Sequence, residues 1–186
     1  MALRMEHNLH STAQRPRDRT NHVLLWLTAL AFLLGLATLA SCDELTEHPV
    51  RQTMLGVHNV LRRSQGQPDQ RLDEQLCLAA QRHADWLAAT EYHRTPGGPS
   101  MHVGASGSTV QDRAQAVGFV AWRSLSENAA SGYRGVPQVF VGWKGSPGHW
   151  ANILRPGDLC GFGYQVSARG ATYWVALYAQ SADARK

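Results

Sequence analysis

The chain has 186 residues, of which 44% are apolar and 17% charged, with a formal net charge of +4; this ordinary globular balance excludes a wholly disordered chain. The positive excess is uneven: Arg4, Arg15, Arg17 and Arg19 precede an apolar run, whereas residues 43–186 carry 14 basic and 12 acidic side chains. No Lys/Arg cluster or stripe marks that longer part, so nucleic acid is not an expected partner.

The first predicted element is an export segment. Residues 23–40 carry no charge, follow the arginines and end in Leu39-Ala40-Ser41-Cys42. A basic lead, an apolar run and a small-residue exit are the parts of a secretory signal. The last four residues resemble a bacterial lipobox, in which the cysteine takes a diacylglycerol and becomes the new N-terminus. The expectation is therefore a signal over residues 1–41, lipidation at Cys42 and a polar tether through residue 50, with the membrane as a partner through the lipid. An uncleaved anchor is the alternative, because 18 apolar residues nearly span a bilayer; simple secretion is a third. In each case the rest of the chain lies outside the cytoplasmic membrane, in the cell envelope when lipid-anchored.

Residues 51–64 place Met54, Leu55, Val57, His58 and Leu61 at helical spacing, stopped by Gly66 and Pro68. Asp73 caps a second helix running to about Glu91, with Leu76, Ala80, His83, Ala84, Leu87 and Ala88 as its inner stripe. Two prolines and four glycines make residues 95–107 a loop. Thr109 caps a short third helix that Gly118 closes. Residues 119–125 alternate as a strand, and residues 126–132 read as a turn-rich stretch. Pro137 and Pro147 sit at first-turn positions of two further helices, over residues 136–143 and from 147. Residues 160–166 and 172–177 form a closing strand pair. Helices first and strands last suggest an α+β domain with helices on a mostly antiparallel sheet, spanning residues 51–182. An exported domain with two remaining cysteines, Cys77 and Cys160, favours one disulfide over two buried thiols. Closing so long a loop would contribute about 4 kcal/mol.

Several segments recur in one family order: His58-Asn59 with Arg62; Leu72 to Leu76; His102; Gly107-Ser108-Thr109 with Asp112-Arg113-Ala114; Glu127-Asn128-Ala129-Ala130; Trp143 with Ser146-Pro147-Gly148-His149 and Asn152-Ile153-Leu154; and Tyr173-Trp174. Together they resemble the bacterial branch of the CAP superfamily, the cysteine-rich secretory, antigen 5 and pathogenesis-related proteins. The resemblance implies a three-layer α-β-α sandwich with a central cleft. It also implies that His102, Glu127 and His149 line that cleft, with Ser146 where other members carry a second glutamate, and with Trp143 and Asn128 as further lining.

Two imidazoles and a carboxylate make a reasonable set for zinc or another divalent cation. The alternative is structural, with Glu127 accepting backbone N–H bonds to hold loops and the two histidines forming a polar cleft pair. His58 and His83 read as hydrogen-bonded packing residues, and His93 as a solvated loop residue. The expected function is a binding module taking a small lipid-like or peptide ligand or a metal. Its rival is a metal-dependent hydrolase of peptide or cell-wall material. No Gly-x-Ser-x-Gly elbow supports a serine nucleophile, and the binding reading leads.

Overall fold

The computed structural model describes residues 43–183. The expected export segment and Cys42 lie outside the described residues. Residues 43–50, expected as a polar tether, are largely helical: α1 (Asp43–Glu47) occupies them, and α2 (Pro49–Arg63) begins there, with Pro49 in its first turn. Then come β1 (Arg71–Leu72), α3 (Glu74–Thr90), two 3₁₀ turns (Tyr92–Arg94 and Ala105–Gly107), α4 (Val110–Gln115) and β2 (Trp122–Ser131). The chain continues through α5 (Val136–Lys144), α6 (Pro147–Leu154), β3 (Leu159–Val166) and β4 (Thr172–Ser181).

The signals that fix these elements are local. Asp73 accepts from the Leu76 N–H at 2.9 Å, as an N-cap should. Thr109 and Asp112 form a reciprocal capping box. Gly118, at φ +86°, lets the chain leave α4 so that Phe119 N–H reaches Ala114 C=O.

The sheet order is β1-β3-β4-β2, with β1 parallel to β3 and the other pairs antiparallel. This is the α+β fold expected, with a mostly antiparallel sheet. Strand alternation sends β3 and β4 side chains to two cores. Leu159, Tyr173, Val175, Leu177 and Ala179 pack with α3 and α4. Cys160, Phe162, Trp174, Ala176 and Tyr178 pack with residues of α2, α5 and α6. Helices therefore cover both faces, giving three layers. On the first face the helix sits directly on backbone: a Cβ on Gly161 or Gly163 would come within 2.4 Å of α3 main-chain atoms.

The second core is stitched by arginines that the helical pattern of α2 does not announce. Arg62 is fully buried and donates to the carbonyls of Pro68, Ile153 and Arg155 at 2.7–3.0 Å. Arg51 donates to Leu45 C=O, Phe162 C=O and Gln81 Oε1. Each guanidinium finds acceptors that replace water, which is why a charge tolerates burial there.

The expected Cys77–Cys160 bridge is not formed; both are buried free thiols. The reason is strand parity. Cys160 points into the α2–α5–α6 core, whereas Cys77 belongs to α3 on the opposite face. A bridge would have to pass through the sheet, against the Cβ-facing geometry a disulfide needs. Burial pushes the Cys77 thiol up to about 11 and Cys160 well above the ordinary thiol range.

Candidate functional site

Glu127 lies in the middle of β2, not in a turn. Its register partner is Leu177, so its side chain faces the α3–α4 layer. Asn128, paired with Ala176, faces the other layer. β2 is an edge strand, so residues from both layers can meet around its free side. His102 comes from the loop between α3 and α4, and His149 from the first turn of α6. Their ring centroids lie 6.4 Å apart.

Glu127 is 97% buried at its side chain, and each oxygen has its own cation-capable partner. His102 Nδ1 donates to Oε1 at 2.9 Å, and Arg113 Nη2 donates to Oε2 at 2.5 Å. Arg113 is also held by the carbonyls of Ser108 and His102. Burial pushes the Glu127 carboxyl up, but the His102 hydrogen bond and the Arg113 charge outweigh it, and the group stays below its ordinary value. With its Nδ1–H committed, His102 offers Nε2, on a side chain 46% exposed. His149 is half-buried, and burial followed by the neighbouring His102 lowers its pKa, favouring the neutral ring.

The edge is braced from α6. Asn152 Nδ2 donates to Glu127 C=O and to Asn128 Oδ1, both at 3.0 Å. Asn128 Nδ2 in turn donates to His149 C=O at 3.0 Å. Asn128 and Trp143 are thus not cleft lining as expected: Asn128 is fully buried and Trp143 is 1% exposed within the second core. Ser146 is half-buried at the N-cap of α6 and makes no capping hydrogen bond.

His102 thus meets Glu127 by a hydrogen bond and His149 by ring proximity. Among the described residues no group of three or more His, Cys, Asp or Glu is placed to hold an ion. Arg113 sits on one Glu127 oxygen and His102 on the other, so a cation ligated there would displace one partner and face the guanidinium. The loop-holding role of Glu127 is present, with side chains rather than backbone N–H groups as its donors. Arg113 is the functional residue missed in sequence. It stands in the Asp112-Arg113-Ala114 segment already singled out, and a buried carboxylate calls for such a cation.

The other histidines follow expectation in part. His58 is fully buried, bonded to Gln70 Oε1 at 2.8 Å and stacked on Tyr178. His83 is 1% exposed, bonded through Nε2 to Met101 C=O at 2.7 Å and stacked on Trp86. His93 is not simply solvated: its ring packs edge-on against Tyr173.

Comparison with known proteins agrees with this architecture. The model of the cysteine-rich secretory protein (CAP) family matches residues 55–178. An outer surface protein of Borrelia burgdorferi shares the fold with a TM-score of 0.61 at 19% identity, over 73% of this chain and 95% of its own. An extracellular SCP-domain protein of Bacillus anthracis gives 0.56 at 21% identity, over 70% of this chain; the present chain covers 40% of that protein. No curated protein matches.

Proposed function

The chain belongs to the cysteine-rich secretory protein family, and from that premise we propose that it is an envelope-anchored, extracytoplasmic binding module whose His102–His149 pair contacts a small polar or peptide ligand. The observation that carries the reading is the proximity of two partly exposed imidazoles, one of them bonded to a buried, neutralised carboxylate. Glu127 faces inward and orients; the imidazole edges remain for a ligand. The sequence before Asp43 supports export and attachment through Cys42.

Two experiments test this. Metabolic labelling with a palmitate analogue should mark the wild-type chain, and Cys42→Ser should abolish the label and release the chain from membranes. A thermal-shift panel of peptides and small polar molecules should yield binders whose shift disappears in both His102→Ala and His149→Ala. Binders that ignore both substitutions would remove the two imidazoles from the function.

A hydrolytic reading has one observation in its favour, the Glu127–His102 hydrogen bond, which orients an imidazole as a general base is oriented. It ranks second because, among the described residues, no serine or cysteine side chain is bonded to either ring.

A further inference from the structure

The candidate site gathers at one edge of the sheet, and α1 lies at the other. β1 pairs only with Leu159 and Cys160, so the rest of β3 has no strand on its outer side. The bond from Ser167 N–H to Ala171 C=O sets the phase of the β3–β4 ladder. Carried along the register, it turns the main-chain groups of residues 161, 163 and 165 towards β4 and those of 162 and 164 outwards. Side chains answer the outward groups. Arg51 Nε donates to Phe162 C=O at 2.8 Å, Gln81 Nε2 donates to Tyr164 C=O at 2.9 Å, and Gln81 Oε1 accepts from Tyr164 N–H at 3.3 Å.

The same guanidinium fixes α1 at this edge. Arg51 Nη1 donates to Leu45 C=O at 2.8 Å, and Gln52 Nε2 donates to Thr46 C=O at 2.9 Å. α1 also packs against α2 and α3, one helix from each layer. Its first residue, Asp43, directly follows Cys42, and consecutive Cα atoms are only about 3.8 Å apart. A lipid on Cys42 is therefore joined to the packed domain with no slack between them. A body leashed at one point of its surface rests with that point against the bilayer. β2 stands two strand spacings beyond β3, about 10 Å across the sheet. Glu127, with His102 bonded to it and His149 beside His102, belongs to that far edge.

We infer that the lipid holds the domain by its β3 edge, with α1 on the headgroup layer and the His102–His149 pair turned away from the membrane. This orientation rests on the anchoring proposed above. The acyl chains supply the affinity, at about 0.8 kcal/mol per buried CH₂. Asp43, Glu44 and Glu47 give α1 no attraction for anionic lipid.

The test puts one thiol dye at a time on the full-length lipidated chain, at Glu47→Cys in α1 or at Pro147→Cys, two residues from His149. Both positions are exposed, whereas Cys77 and Cys160 are buried and stay unlabelled. The chain is bound to phosphatidylcholine vesicles that carry a nitroxide on the headgroup. The dye at 47 should lose its emission and the dye at 147 keep it. Roughly 20 Gly/Ser residues inserted between Cys42 and Asp43, a leash of about 25 Å, should abolish the difference. Cys42→Ser should leave both dyes bright. Palmitate labelling of the same chain separates the two possible failures. An unlabelled chain removes the anchor, and the orientation with it. A labelled chain quenched equally at both positions, or more at 147, overturns the orientation alone, as does a difference that survives the inserted leash or quenching that persists in Cys42→Ser.

Discussion

Glu127 has almost no water around it, and its charge is tolerated only because Arg113 and His102 answer its two oxygens. Removing Arg113 leaves a buried acid with one partner, a change that typically costs about 3–5 kcal/mol. Arg113→Met should lower urea stability by that order at pH 7, and adding Glu127→Gln should recover part of the loss. The pH dependence follows from the same contacts. The Glu127 pKa is depressed in the fold, so its contribution is present above the ordinary carboxyl value of 4.5 and lost as pH falls through the lower folded value. In Arg113→Met burial gains weight, and acid unfolding should begin at higher pH. His58 acts at milder acidity. Burial lowers its pKa from 6.5 to about 4, so the folded state resists protonation that the unfolded chain accepts. Its stability contribution is complete above pH 6.5 and falls away towards pH 4, a swing of roughly 3 kcal/mol by linkage. His58→Phe should flatten that limb of a pH–stability curve measured by chemical unfolding. At this scale the sequence made the inward histidines readable from helical spacing. It hid Arg51 and the partners of Arg62, because spacing carries no information about which distant carbonyls will accept from a guanidinium.

Among the elements, those with capping chemistry of their own were legible: Asp73 opening α3, Thr109 opening α4 and the prolines of α5 and α6 all stand where their side chains predict. β1 was not, since a two-residue strand has no periodicity and exists only through pairing with β3. β2 was mistaken in part. Ser126, Asn128 and Ser131 look like turn residues, but the β4 ladder and the bonds from Asn152 override that preference. The docking of α3 on β3 makes a sharper demand. Gly163 faces Ala80 and Gln81 main-chain atoms, with a Cβ position 2.3 Å from the Ala80 carbonyl oxygen. Gly163→Ala must push helix from sheet, and overpacking of this kind costs about 1–3 kcal/mol or more. Thermal unfolding should show the loss, with Gly170→Ala in the β3–β4 hairpin as a comparison in which no neighbour is struck but φ is +81°.

For the whole molecule, the sandwich sorts its reactive groups by layer. The two thiols lie on opposite sides of the sheet, so reductant should leave the melting temperature unchanged, and thiol reagents should reach Cys77 and Cys160 only on unfolding; a reductant-sensitive melt would contradict this arrangement. The order of layers was legible from the run of helices and strands together with the family resemblance. The pairing of cysteines was not, because composition and compartment say nothing of strand parity. The placement of Glu127 on the outermost strand has its own consequence. Its peptide carbonyl is gripped by one amide from α6, where an interior strand would have a neighbour. The backbone of the strand is thus tied to the α6 layer while its carboxylate is tied to the opposite one, so loosening Asn152 would shift the root of the acid without breaking its His102 and Arg113 contacts.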